Sequence, residues 1–281
     1  MKVLLLAAGI GQRLGDGGEH RPKALLQFGG RTLLERHLGI LRTFDISDIA
    51  VTVGFRADLV AREVERLDLA DTVRLISNPD YREGSIVSLW SARDVLTSGT
   101  PVLLMDADVL YDRRLMARLL ESTIPNCLLL DRNIEPGEEP VKICIRRGRI
   151  VDFHKRPRKD YEWHGESVGF FRFSPDAAHE LAERLAGYVG NAEHRLLEYE
   201  EAIRDMILES PQRSFGFEDV TGLPWTEIDF PEDVRRARDL VLPRLEDGHV
   251  FGSLFPSRHV VRAAAGESGR AEEQAPHAPA R

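Results

Sequence analysis

Strand-like and helix-like segments alternate through the first half of the chain, and this rhythm limits the fold more than any other feature. The run Val3–Leu6 is aliphatic throughout, as expected of a strand covered on both faces. Thr32–Thr43 has helical periodicity, Ile49–Val53 reads as a strand, Ala57–Leu67 as a helix and Val73–Ile76 as a strand. Ser85–Leu96 reads as one helix with Ser85 as its N-cap, and Val102–Met105 as the next strand. Repeated β-α units with short connections predict an α/β fold: a Rossmann-like, mostly parallel sheet flanked by helices.

After Cys127 the rhythm changes. Cys127–Leu130, Val141–Ile145, Ile150–His154 and Ser167–Phe173 read as strands with few helices between them, and Arg147-Gly148 as a hairpin turn. These predict an antiparallel extension. Helices are expected at Pro175–Ala186 and Leu196–Glu209, a short strand at Thr226–Asp229, and a last helix opened by Pro231 with Glu232 and Asp233 in its first turn. We therefore expect one catalytic-sized domain over residues 1–250. A disordered tail is expected over residues 257–281, because beyond Val261 only small, polar and charged residues remain.

Composition removes several classes. The 281 residues carry 46 acidic and 38 basic side chains, a net charge of −8, which does not suit a partner of nucleic acid or an anionic membrane. No apolar run approaches the ~20 residues of a membrane span, and Val3–Ala8 is too short for a secretory leader. Two cysteines, Cys127 and Cys144, cannot build a disulfide scaffold or a cysteine zinc cluster; both read as small buried residues. The nine histidines show no zinc spacing. A soluble, cytoplasmic protein is expected.

The chemistry concentrates in Leu6-Ala7-Ala8-Gly9-Ile10-Gly11-Gln12-Arg13-Leu14, followed by Pro22-Lys23-Ala24-Leu25. Small residues after a buried strand leave backbone N–H groups open to close approach by a nucleotide. Arg13 and Lys23 bring positive charge to a polyphosphate. A dinucleotide fingerprint is excluded because Leu14 stands at its third glycine position, and no Gly-Lys-Ser/Thr of a P-loop follows. Gly15, Gly17, Gly18 and Pro22 indicate a long loop instead. A second focus is Asp106-Ala107-Asp108 at the end of an apolar strand, where ligands of open α/β sheets bind. Gly165-Glu166-Ser167-Val168-Gly169 spells a hydrolase nucleophile elbow, but the β-run that continues to Phe173 leaves no room for the helix that motif requires.

Leu6–Leu14 together with Pro22–Leu25 resembles the signature of nucleotidyltransferases that join a nucleoside triphosphate to a phosphorylated sugar or alcohol. The resemblance spans roughly residues 1–245. Asn78-Pro79-Asp80-Tyr81, Gly84-Ser85-Ile86-Val87-Ser88-Leu89 and Glu227-Ile228-Asp229 look most like small cytidylyltransferases acting on phosphocholine, inositol phosphate or aminoethylphosphonate. The resemblance implies a GT-A type nucleotidyltransferase fold whose antiparallel extension forms the acceptor side. It implies Mg²⁺ bound by Asp108 and Asp229, with Asp106 and Glu227 as supporting or alternative acids. It also implies CTP as donor and a small phosphorylated acceptor, with Arg13, Lys23, Asp108 and Asp229 as the catalytic set. Nucleotide contacts are expected from Leu6, Ala7, Ala8, Gly9, Gly11, Arg13, Lys23, Gly54, Gly84, Ser85, Ser88 and Asp106. Acceptor contacts are expected from Lys155 and Glu166, and from Trp163 and Trp225, which with Tyr161 form an aromatic wall for a quaternary ammonium group. Two other functions fit parts of the pattern: a GT-A glycosyltransferase using a nucleotide sugar, which shares the acid-x-acid motif, and a non-catalytic nucleotide sensor.

Overall fold

The structure, a computed structural model, describes residues 1–17, 21–134, 139–209 and 215–246. The tail expected at 257–281 lies outside the described residues. The elements run β1 (Lys2–Ala7), β2 (Gln27–Phe28), β3 (Arg31–Thr32), α1 (Leu33–Arg42), β4 (Ile49–Val53), α2 (Ala57–Arg66), β5 (Val73–Ser77), α3 (Ser85–Ser91), α4 (Arg93–Leu96), β6 (Val102–Asp106), β7 (Val109–Tyr111) and α5 (Arg113–Glu121). There follow β8 (Asn126–Asp131), β9 (Lys142–Arg146), β10 (Arg149–His154), β11 (Trp163–Phe173), α6 (Pro175–Val189), α7 (Glu200–Glu209), β12 (Phe215–Asp219), β13 (Trp225–Glu227) and α8 (Pro231–Arg236).

The main sheet runs β10-β9-β11-β6-β1-β4-β5, with β8 joined to β11 and β12 joined to β8. β1 pairs in parallel with both β4 and β6, and β5 extends the parallel half beyond β4. β11 runs antiparallel to β6, β8 and β9, and this is where the extension begins. The aliphatic character of β1 follows from its central place. Val3 and Leu5 face a core with α1, α2 and α5; Leu4 faces the opposite core with α3, α6 and α7. Alternating residues thus go to two different cores, and neither face admits a polar side chain.

This topology sets the site. The chain leaves β1 toward β4 on one side and later returns through β6 on the other, which creates a crevice beyond the carboxyl ends of β1 and β6. Leu6 lies in register with Asp106, and Ala107 N–H donates to Leu6 O at 3.1 Å. The small-residue loop and the acid pair therefore emerge side by side.

Several local expectations are corrected. Ser85 is not the N-cap of α3: Gly84 is, and the Ser85 hydroxyl instead accepts from Tyr199 N–H at 2.9 Å. The helix read as Ser85–Leu96 breaks at Ala92, just after Ser91 Oγ donates to Val87 O at 2.9 Å, a back-bond that bends helices. The helix read from Leu196 starts at Glu200, after a single 3₁₀ turn over His194–Leu196. The short strand near Thr226 covers Trp225–Glu227, and β7, α5 and β12 had no counterpart in the sequence reading. The turn at Arg147-Gly148 forms, with both residues at positive φ (51° and 71°) as a two-residue hairpin of matching twist requires. Gly165–Gly169 lies wholly within β11, and no helix follows Ser167. Among the described residues no helix is long and apolar enough to cross a membrane.

Candidate active site

The crevice is a cleft of about 440 Å³, lined by residues 6–13, by Lys23 and Ala24, by residues 106–108 and by side chains from the antiparallel extension. The loop after β1 is held from behind: Phe55 N–H donates to Ala8 O at 3.1 Å. Gly54 supports that arrangement, since a Cβ there would overlap Tyr81 and lie 3.0 Å from Ala8 O.

Asp108 and Asp229 are 121 residues apart in sequence, yet a short ladder brings them together. β13 pairs antiparallel with β7, Glu227 opposite Val109, and Ile228 N–H donates to Asp108 O at 3.1 Å. Ile228 is fully buried, so the alternation of an extended chain turns Glu227 and Asp229 to the same side. Asp233, in the first turn of α8, reaches back: its Oδ2 accepts from Asp229 N–H at 2.9 Å and from Phe230 N–H at 2.7 Å. Carboxylate oxygens of Asp108, Glu227 and Asp229 lie within 4.8 Å of one another.

Lys23 sits in this acid group. Its Nζ donates to Asp108 Oδ2 at 3.0 Å and to Asp229 Oδ1 at 2.5 Å. Burial works against the lysine charge, but the two aspartates more than offset it and hold the ammonium protonated well above the ordinary lysine range. Arg13 Nη1 lies 3.5 Å from Asp229 Oδ2 and donates to Glu139 Oε2 at 3.0 Å, with the guanidinium 5.6 Å above the Phe230 ring. Loss of solvation, followed by the charges of Asp108 and Asp229, pushes the Glu227 carboxyl well above the usual carboxylate range.

Asp106 lies on the β6 side of the cleft, where Tyr199 Oη donates to its Oδ2 at 2.7 Å. Burial first, then Asp108 and Glu200, raise the Asp106 carboxyl. Gly169 passes so close that a Cβ there would overlap Asp106 Oδ2, and its φ of 77° coincides with a register shift between Ser167 and Phe171 in β11. Tyr199 also stitches the cleft wall to α3 through Ser85, and Gly84 N–H donates to Arg195 O at 2.8 Å in the same seam. Ser88 lines the cleft while its hydroxyl accepts from Asn78 Nδ2 at 3.0 Å. At the far end, Lys155 Nζ donates to Glu198 at 2.9 Å and to Glu139 at 3.2 Å. Beside it Glu200 Oε2 is buried without a hydrogen-bond partner, and burial, then the Glu198 charge, pushes that carboxyl up to about 8.

Of the residues singled out from sequence, Leu6, Ala7, Ala8, Gly9, Gly11, Arg13, Lys23, Ser85, Ser88, Asp106, Asp108, Lys155, Glu166 and Asp229 line this one cleft. Gly54, Gly84, Trp163 and Trp225 do not. Gly54 and Gly84 make close backbone passages instead; a Cβ on Gly84 would overlap Leu197 O. Trp163 packs edge-on to Phe217 under the Arg132 guanidinium, and Trp225 Nε1 donates to Asp131 Oδ2 at 2.8 Å. Tyr161 is paired with His164, so no aromatic wall is assembled on the cleft. Sequence reasoning missed Glu139, Gly169, Glu198, Tyr199 and Glu200. The acidic run Glu198-Tyr199-Glu200-Glu201 was the available signal, concealed because it merges with the start of α7.

Residues 3–153 match the MobA-like NTP transferase domain, more than half of the chain. The chain belongs to this family. Its glycine-lined loop, Lys23 and Asp106–Asp108 all fall inside the matched span of the NTP transferase domain, while Asp229 falls outside it. Across 243 residues the chain is 31% identical to the bifunctional IPC transferase and DIPP synthase of Rubrobacter xylanophilus, covering 85% of this chain and 51% of that protein. It is 26% identical over 269 residues to the CMP-5'-(3-aminopropyl)phosphonate synthase of Streptomyces rubellomurinus, covering 90% of this chain and 41% of that protein. The chain thus spans about half the length of these curated relatives. The solved inositol-1-phosphate CTP transferase of T. maritima superimposes with a TM-score of 0.66 at 18% identity, covering 88% of this chain and 96% of that one, and shares the fold.

Proposed function

We propose that this chain transfers a nucleotidyl group, CMP from CTP, to a small phosphorylated acceptor such as a phosphoalcohol or phosphonate, with release of pyrophosphate. One observation carries the reading: a backbone cradle, the cations Arg13, Lys23 and Lys155, and the clustered carboxylates of Asp108, Glu227 and Asp229, from distant parts of the sequence, line a single cleft at the strand ends. Family membership supports nucleotidyl transfer; the CMP-5'-(3-aminopropyl)phosphonate synthase and the inositol-1-phosphate CTP transferase support cytidine as the base and a phosphonate or inositol phosphate as acceptor. A cytoplasmic setting follows from the nucleoside triphosphate substrate.

The acceptor oxygen is already ionised at neutral pH, so no general base is required. It attacks the α-phosphorus; a new P–O bond forms as the α–β bridging P–O bond breaks, and its electron pair leaves with pyrophosphate. The obstacle is repulsion between two anions, and positioning with charge stabilisation lowers it. Backbone at Ala7–Gly11 cradles the triphosphate, Lys23 binds the α-phosphate, and Arg13 stabilises the β- and γ-phosphates as they depart. Lys155 receives the acceptor phosphate, with Glu166 on the same wall. Ser85 and Ser88 face the base.

The donor set suits Mg²⁺, a hard cation that prefers carboxylate and phosphate oxygens: Asp108, Glu227 and Asp229 offer three oxygens in close proximity, and a cationic ammonium is already drawn to them. Asp108 and Asp229, with Glu227, would hold it. When bound it would supply positive charge to both reacting phosphates. The test is a grid of four nucleoside triphosphates against phosphocholine, inositol phosphate, aminoethylphosphonate and sugar 1-phosphates, scored by pyrophosphate. Release with CTP and one of these acceptors supports the reading. Silence across the grid, or turnover of a nucleotide sugar instead, overturns it.

A further inference from the structure

Three cations of the cleft rest on acids: Lys23 on Asp108 and Asp229, Arg13 on Glu139 and Asp229, and Lys155 on Glu139 and Glu198. For Lys23 the resting place has a consequence. The two oxygens it touches, at 3.0 and 2.5 Å, belong to the two aspartates assigned above to a divalent cation. A metal ion held between these same two oxygens would stand where the ammonium stands. Resting on the function just proposed, we propose that Lys23 is a tethered counter-ion that occupies the cation position of the free protein, and that the triphosphate opens this position by drawing the ammonium onto its phosphates.

The geometry supplies both stations from one fixed root. Lys23 opens a 3₁₀ turn after Pro22, and the next two residues, Ala24 and Leu25, are buried anchors. Its aliphatic stem runs over Gly11, where a Cβ would come within 3.1 Å of Lys23 Cγ. Gly11 belongs to the phosphate cradle, so rotation about the end of the side chain is enough to exchange a carboxylate for a phosphate oxygen. The arrangement also answers an electrostatic need. Three carboxylates crowded within 4.8 Å repel one another, and a built-in cation relieves that repulsion until a better one arrives. Metal and nucleotide then bind as linked events: each favours the other because each finds the lysine already displaced.

The test needs no turnover. Mn²⁺ alone, without nucleotide, is titrated into the full chain and followed by calorimetry or by electron paramagnetic resonance. Lys23→Met is expected to tighten Mn²⁺ binding on the order of ten- to a hundred-fold, within the usual span of coupling between two sites. Lys23→Arg, which keeps the charge, should gain little. The double variant Lys23→Met/Asp108→Asn should lose the gain, which assigns it to this acid group. The counter-ion role is overturned if Lys23→Met binds Mn²⁺ no more tightly than the wild type, or if the gain survives in the double variant. Should Lys23→Met fail to fold by circular dichroism, Lys23→Gln takes its place with the same criteria. A protein that shows the gain but releases no pyrophosphate in any combination refutes the transferase reading and keeps the lysine exchange; the converse result does the reverse.

Discussion

Asp233 touches no ligand position, yet the architecture makes it the support on which Asp229 stands. Its Oδ2 accepts two backbone hydrogen bonds, from Asp229 and Phe230, and its Oδ1 accepts from Arg236 Nη2 at 3.0 Å. The residue is 7% exposed, so water replaces these partners poorly. Hydrogen bonds to a charged group contribute roughly 1.5–3 kcal/mol each, and shared bonds at one carboxylate do not add fully. Asp233→Ala should therefore destabilise the protein by about 2–4 kcal/mol, which for a chain of this size lowers the melting temperature by roughly 5–15 °C. Asp233→Asn keeps one acceptor oxygen and should lose about half as much. The loss must also reach the site, because Asp229 N–H is one of the two donors set free. Pyrophosphate release measured against Mg²⁺ concentration should show a higher half-saturating Mg²⁺ in both variants, larger for alanine. A melting temperature for Asp233→Ala within a degree or so of the wild type, with unchanged Mg²⁺ dependence, would refute the reasoning.

Asp108→Asn should abolish turnover while thermal unfolding stays near that of the wild type; near-normal pyrophosphate release in Mg²⁺ removes Asp108 from the reaction. Gly169→Ala places a Cβ on Asp106 in a backbone conformation that costs an L-residue about 1–2 kcal/mol, so both melting temperature and turnover should fall together. Glu200, with its carboxyl pushed up from 4.5 to about 8, keeps its proton in the folded state while the unfolded chain releases it. The folded form then binds more protons over that interval, so stability declines as pH rises from about 4.5 to about 8 and levels off above. Melting curves of Glu200→Gln should show a shallower decline, Asp106 and Glu227 contributing what remains; parallel profiles for variant and wild type would show that Glu200 does not titrate this way.

What could be read from sequence follows the range over which the signals act. β1 and its loop were legible because burial on both faces demands an aliphatic run, and close approach to the backbone demands small residues, all within a dozen positions. The alternation of strands and helices fixed the crevice, and with it the neighbourhood of Leu6 and Asp106. β7 escaped because three buried residues, Val109, Leu110 and Tyr111, show no period, and their partner β13 lies more than a hundred residues away. α5 carried its Asp112 cap and its apolar Leu115, Met116 and Leu119, but the doubled arginine between them masked the pattern. An aromatic residue type alone does not say whether a ring faces a ligand or the protein: Trp163 packs on Phe217, and Trp225 hydrogen-bonds Asp131. The acids at 198–200 face the cleft only because Gly84 and Ser85 receive that segment, and no local spacing encodes such a seam.

The pairing of β13 with β7 also bears on when the protein acquires its chemistry. A chain displaying everything through Asp108 carries the small-residue loop and the first of the three clustered carboxylates, but neither Glu227 nor Asp229. The acid group is complete only once the late strand has paired with β7, so its assembly waits for nearly the whole described chain.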